Sequence, residues 1–320
     1  MKIQLYGTRG SVPVFNPKSV KYGGNTTCLR IIADQIPNNH ALVIDAGSGF
    51  IPMGNDLLNE TEGKLTQTTI LFTHWHNDHT LGLFLSPITY FKSIKMKLMG
   101  PSENNIGPKE MMEDMMRPPY FPIDVREVRS KFEYINIDTP QAQVILIHPK
   151  AIQLIDLDVY ETIEINDDTI EIENELYPLN EFLVVKMHRA KHPDKTISFR
   201  FEDKKTGKVF VFLTDNENED GFSGHLKKHV QGADLLIMDA QYSREKYIKH
   251  TVGYGHGTPD YAVRLAEKCA VKRLGLTHHD PTSEDTDVDQ IMMEGIKAKS
   301  ADSDLQIFAC ADYMTVEIKN

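Results

Sequence analysis

Residues 73–80 read THWHNDHT and place His74, His76, Asp78 and His79 within six positions, directly after the β-forming run TILFT. Imidazole nitrogen and carboxylate oxygen are the donors that zinc and related divalent ions accept, and a hydrolytic site leaves one coordination position open for water. Four such groups could hold one ion, hold two, or form a polar turn. His74 and His76 lie two apart on an extended segment and can face the same side, sharing one ion. Asp78 and His79 sit a little further along and could serve a second. Packing does not account for so many costly polar groups in one loop, so metal binding is the preferred reading.

The groups needed to complete such a site recur far along the chain, each at the end of an apolar, β-branched run. KMHRAKHP carries His188 and His192, VFVFLT runs into Asp215, and RLGLT runs into His278 with His279 beside it. If these runs are neighbouring strands, their ends converge and distant residues become one constellation. Further short runs, KIQLYG (2–7), TCLRIIA (27–33), ALVIDAG (41–47) and KMKLMG (95–100), read as strands. VILIH (144–148), DTIEIE (168–173) and EFLVVKMH (181–188) suggest antiparallel strands. TISFRFE and KVFVFLTD flank DKKTG as a hairpin. PKEMMEDMMR (108–117) and TPDYAVRLAEKCA (258–270) have helical composition, the latter with Thr at N-cap and Pro at N1. The apolar stretch 80–91 reads as a buried helix opening. Sheet-rich halves with helices at the ends of each predict a layered α/β architecture.

The motif His74-x-His76-x-Asp78-His79 resembles the signature of the metallo-β-lactamase superfamily. DAGSG (45–49), HPDKTISFRFE (192–202), LTDNE (213–217) and LTHHDP (276–281) are similar to further family motifs, in the family's order. The resemblance implies an αβ/βα sandwich of two mixed sheets flanked by helices, one domain over 1–320 with an inserted segment near 101–180. It implies that His74, His76 and His192 hold one divalent ion and that Asp78, His79 and His278 hold another. Asp215 would bridge them and Asp45 would support the metal loop. His278 is preferred to His279 because it follows its strand directly. Zinc is the expected ion, with manganese or iron as alternatives.

Two segments narrow the resemblance to the phosphodiesterase branch, which includes ribonuclease Z and the cyclic-phosphate and cyclic-nucleotide hydrolases. They are GTRGSVPV…YGGNTTC (7–28) and GHGTPDYAVRLAEK (255–268). Carried over, His256 becomes the general acid that protonates the leaving oxygen, with Asp239 or Glu245 as its acidic partner. Gly257 departs from the serine common at that position. Metal-activated hydroxide would attack phosphorus in line, with Asp78 and its fellow ligands shaping the centre. Arg9, Lys21 and Arg189 are candidate phosphate contacts, and Asn25 a candidate substrate contact. A lactone, thioester or β-lactam hydrolase on the same metals is the rival within enzymes, and a binding module with decayed metals the rival outside them.

Composition bears on the partner. Forty-six acidic against 35 basic residues leave a formal charge of −11, and no Lys/Arg track of the kind that grips a long polyanion is present. A basic arm for tRNA is not evident either. A small phosphodiester, such as a cyclic nucleotide, is therefore expected over long nucleic acid, with RNA 3′-end processing as the alternative. No apolar run reaches membrane-spanning length, the start lacks a secretory pattern, and three scattered cysteines argue against a disulfide framework. A cytoplasmic enzyme is the expectation; its oligomeric state stays open, a homodimer being common among related phosphodiesterases.

Overall fold

A computed structural model describes residues 1–119, 121–128, 131–166 and 168–319. Its strands are β1 (Lys2–Gly7), β2 (Cys28–Ile32), β3 (His40–Ile44), β4 (Gln67–Leu71), β5 (Lys95–Pro101), β6 (Phe132–Ile137), β7 (Gln143–His148) and β8 (Ala151–Asp156). They continue as β9 (Thr169–Ile172), β10 (Glu175–Pro178), β11 (Leu183–Arg189), β12 (Ile197–Asp203), β13 (Val209–Leu213), β14 (Leu235–Asp239), β15 (Arg273–Thr277), β16 (Gln306–Ala309) and β17 (Thr315–Glu317). The first sheet runs β17-β1-β2-β3-β4-β5-β6 and the second β16-β15-β14-β13-β12-β11-β7-β8. Both are mixed. In the first, β3 to β6 are parallel, and in the second β13 to β16 are.

The alternation of each strand explains the layering. Ile3, Leu5, Ile31, Ile44 and Leu71 of the first sheet meet Phe199, Phe201, Phe212 and Ile237 of the second in one buried cluster. The opposite faces carry Val43 and Ile70 against helix α1 (Phe50–Glu60), through Phe50, Met53 and Leu57. Helix α2 (Asn77–Thr80) is a single turn, and α3 (Pro108–Met115) flanks the first sheet. On the far side, α4 (Leu157–Asn166) covers β7 and β11. There, α5 (Gly224–Val230) and α7 (Pro259–Lys268) bury Leu226, Tyr261 and Leu265 on Val211, Leu213 and Leu236. Between them in sequence lies the short α6 (Arg244–Lys246), and α8 (Asp285–Ala298) packs beside α7. The result is helices, sheet, sheet, helices, as expected from the strand-rich halves. No helix is long and apolar enough to cross a membrane among the described residues.

One expectation changes. Residues 80–91 do not open a helix: only the turn α2 and a 3-10 turn at Pro87–Thr89 form. Gly82 lies so close to the Gly47 carbonyl that a Cβ would come within 1.9 Å of its oxygen, and Pro87 then blocks helical continuation. The segment near 101–180 supplies strands to both sheets. It adds β6 to the first sheet and β7 and β8 to the second, and only the hairpin β9-β10 stands as a separate sheet.

Candidate metal centre

The parallel strands end at one rim. Asp45 follows β3, His74 follows β4, Asp215 follows β13, Asp239 ends β14 and His278 follows β15. Ligand sites in open α/β sheets collect at such carboxyl ends. Three of these residues, Asp45 (φ 56°), Asp215 (φ 49°) and His278 (φ 62°), hold left-handed backbone that non-glycine residues seldom adopt. The surrounding sheets impose that strain where the chemistry-bearing side chains turn inward.

Two sets of ligand atoms that take in every residue expected as a ligand converge here. His74, His76, His192 and Asp215 form one, and Asp78, His79 and His278 the other; a third grouping, Asp215 with His256 and His278, overlaps both. Asp215 spans both: its Oδ2 lies 3.6 Å from His74 Nε2, while its Oδ1 lies 3.4 Å from His79 Nε2 and 3.3 Å from His278 Nε2. Asp78 Oδ2 lies 3.2 Å from both His79 Nε2 and His278 Nε2. The structure therefore brings together all seven residues singled out as ligands.

Whether the group fits metal can be tested on the imidazoles. Thr73 Oγ1 donates to Asp45 Oδ2 (2.8 Å), so it accepts from His74 Nδ1 at 3.1 Å. His79 Nδ1 donates to Asp45 Oδ2 at 2.8 Å, and His192 Nδ1 donates to the Gly255 carbonyl at 3.0 Å. Each arrangement leaves Nε2 with a bare lone pair, and the Nε2 atoms of His74, His79 and His192 are buried with no hydrogen-bond partner. Three orphaned acceptors converging on carboxylates would cost roughly 1–3 kcal/mol each if nothing bound them. A divalent cation satisfies them, and the outward hydrogen bonds match those that orient ligating histidines. His76, more exposed, donates Nε2 to Asp194 Oδ2 at 2.7 Å.

Electrostatics agree. Burial, reinforced by neighbouring imidazoles, holds His74 and His192 neutral, below the usual histidine range. Burial would raise Asp215 and Asp78, yet the surrounding histidines keep both well below the usual carboxylate range. His79 is pulled the other way: burial disfavours its charge, but Asp78, Asp215 and Asp45 together raise it well above its ordinary value. Three carboxylates around one imidazole demand positive charge, which bound cations would supply instead.

The remaining residues find different places. His256 Nδ1 donates to Asp239 Oδ2 at 2.9 Å, and Asp239 is fully buried, also accepting from the Gln241 and Asn216 amides. Glu245 is at the surface with Lys249, so Asp239 is the acidic partner. The His256 ring lies 4.9 Å from that of His278 and 5.5 Å from that of His192. Although burial would lower it, Asp239, Asp215 and Asp78 push its pKa up to about 9. His279 faces away and donates Nε2 to the Cys310 carbonyl at 2.8 Å.

Arg9 is not free to meet phosphate. It is fully buried, with Nε on the Gly23 carbonyl and Nη1 on those of Asp280 and Ser283, all at 2.9 Å. Its motif serves the site in other ways: Ser11 N–H donates to Asp78 Oδ2 at 2.7 Å, and a Cβ on Gly10 would come within 2.4 Å of the His278 ring. Asn25 braces a turn, its Oδ1 accepting from Ser48 Oγ and its backbone N–H donating to Asp312. Lys21 pairs with Asp289, and Arg189 with Glu103. Beside the histidines, Trp75, Pro101, Glu103, Asn104 and Lys195 help line a cavity of about 230 Å³. Thr73, Asp194, Glu217 and Gln241 were not distinguished by sequence; the first three have as signal only a position next to a ligand or in a ligand's motif, and Gln241 only its place two residues after Asp239.

Comparison with known proteins places this geometry. The family described as Beta-lactamase superfamily domain matches residues 112–279, which include His192, Asp215, His256 and His278. The chain is 28% identical over 236 residues to the ribonuclease Z of Sulfurisphaera tokodaii, covering 67% of this chain and 70% of that protein. It is 25% identical over 296 residues to that of Lactococcus lactis, covering 87% and 88%. The crystal structure of the short form of human tRNase Z superposes with a TM-score of 0.59 at 20% identity, over the full length of both chains.

Proposed function

The chain belongs to the β-lactamase superfamily, and within it we propose that it is a metal-dependent hydrolase of small phosphodiesters, cyclic nucleotides or cyclic phosphates among them. The observation that carries this reading is the His256–Asp239 pair beside the two ligand sets. Hydrolysis of an unactivated phosphodiester expels an alkoxide that needs a proton, and an imidazolium held by a buried carboxylate is suited to supply it.

His74, His76, His192 and Asp215 would hold one divalent ion, and Asp78, His79, His278 and Asp215 the other. Zinc suits the donor set best, with manganese or iron as alternatives. Such a pair supplies Lewis acidity and a water acidic enough to be a nucleophile near neutral pH. The chain's own groups do the rest. Asp45 holds Thr73 and His79, and through Thr73 it sets the His74 ring. Asp239 keeps the His256 proton donor oriented with Nε2 directed away from the carboxylate. The cavity beside Trp75 receives the part of the substrate that is not reacting.

Small substrates are favoured by the net charge of −11 and by a 101–180 segment folded into the sheets. A second reading, processing of RNA 3′ ends, takes its support from the sequence relatives, which are ribonucleases Z. The deciding experiment reconstitutes the protein with Zn²⁺ or Mn²⁺ after chelation. It then compares bis(p-nitrophenyl) phosphate, 2′,3′- and 3′,5′-cyclic nucleotides, a precursor tRNA with a 3′ trailer, and a lactone. Turnover of the small diesters that chelation abolishes is expected. Preference for the precursor tRNA would favour the second reading, and turnover of the lactone alone would overturn both.

A further inference from the structure

Glu217 is a buried carboxylate, 6% exposed, with no cationic partner among the described residues. Such a group is costly to bury unless its hydrogen bonds compensate. Its partners are all on one segment: the Tyr247 hydroxyl donates to Oε1, the Gly253 N–H donates to Oε1 at 3.2 Å, and the Gly255 N–H donates to Oε2 at 2.6 Å.

The first part of that segment, Tyr247–Thr251, is a helical turn with Thr251 buried, and the part after it is the more open. Ile248, Val252 and Tyr254 are exposed, and Gly253 and Gly255 both take φ of 89°, a region open chiefly to glycine. Yet it leads to two site residues at once. The Gly255 carbonyl accepts from His192 Nδ1, and a Cβ on Gly255 would come within 2.2 Å of that nitrogen. His256 is the next residue.

We propose that Glu217 is a positioning residue that, by clamping Gly253 and Gly255, sets both the His192 ligand and the His256 proton donor. One carboxylate thereby ties the occupancy of one ion position to the placement of the leaving-group proton. The His192 half stands on geometry alone; the His256 half rests on the phosphodiesterase reading above.

The test uses the full chain carrying Glu217→Gln, which keeps the size of the side chain but replaces one of the two accepting oxygens with an amide nitrogen. Apo-protein is titrated with Zn²⁺ by calorimetry and with Co²⁺ by its visible absorption. The expected result is a loss of affinity of about 10–100-fold for one of two ions, the other binding as in the parent. Tyr247→Phe, which removes a single donor, should shift the same ion in the same direction by less, and guards against a Glu217→Gln protein that does not fold. Turnover should fall more for a cyclic nucleotide than for bis(p-nitrophenyl) phosphate, whose leaving group needs no proton. Two ions bound with unchanged affinity, or both weakened equally alongside a lowered Tm, would overturn the proposal. A selective ion effect in a protein that hydrolyses no phosphodiester would instead leave the His192 role standing and remove the functional reading.

Discussion

Asp215 turns its two carboxylate oxygens to different partners, Oδ2 toward His74 at 3.6 Å and Oδ1 toward His79 and His278 at 3.4 and 3.3 Å. A single strand-end carboxylate of the second sheet thus joins two ligand sets, each drawing residues from both sheets. Its left-handed backbone is the cost of that placement. The same geometry gives each residue around it a separable role.

His256 should act as an acid, so its protonated form is the active one. With its pKa raised to about 9 by Asp239, Asp215 and Asp78 against the effect of burial, that form dominates at neutral pH. Turnover of a cyclic nucleotide should decline as pH rises through about 9, or lower once bound cations offset Asp215 and Asp78. Asp239→Asn should move that limb downward, and His256→Ala should remove it with a loss of about 10²–10⁴-fold in kcat while metal content stays. A pH–rate profile of the three proteins checks this; an unmoved limb in Asp239→Asn would exclude His256 as the donor.

Gly10 makes room for the His278 ring, since a Cβ there would lie 2.4 Å from Cε1 and Nδ1. Gly10→Ala should displace that ring and weaken the ion held with Asp78 and His79, while the ion at His74, His76 and His192 is retained. Metal analysis at limiting zinc should then find close to one ion where the parent binds two.

Arg9 should matter for stability rather than for substrate. Its three hydrogen bonds go to buried or part-buried carbonyls of Gly23, Asp280 and Ser283. Bonds to a charged donor are worth about 1.5–3 kcal/mol each, so Arg9→Ala should destabilise the fold by roughly 3 kcal/mol or more. Denaturant titration measures this directly. A normal unfolding midpoint with a raised KM would instead restore Arg9 as a phosphate contact.

Acid should loosen the outer face of the second sheet. Burial would raise Glu202, but Lys186, Arg200 and Lys204 depress its pKa to about 2 from an ordinary 4.5. A depressed carboxylate adds stability above its unfolded value and loses it as pH falls through the folded one. Its contribution, on the order of 2–3 kcal/mol, should therefore be complete above about pH 4.5 and vanish toward pH 2. Glu202→Gln should lower stability at pH 7 and flatten the slope across that window, as read by urea midpoints at a series of pH values.

The ligand-type residues and the layering were legible in the sequence. Four ligand-type residues crowd into 74–79, several later runs of β-formers end at histidine or aspartate, and apolar alternation marks two sheets. Those features are local, so composition and period reveal them. Choices between neighbours were not local. His278 and His279 are adjacent in sequence, and which of them faces the ions depends on how the strand end sits in its sheet. The left-handed turn at His278 sends it to Asp78 and Asp215, and His279 to the Cys310 carbonyl. Asp239 rather than Glu245 serves His256 because β14 ends beneath it, and Arg9 is internal because two loops, one at Gly23 and one at 280–283, close around it. Glu217 showed nothing in sequence beyond its place two residues after Asp215, since its partners lie 30 to 38 positions away. Such roles are set by contacts between segments, and only the packing of the two sheets decided them.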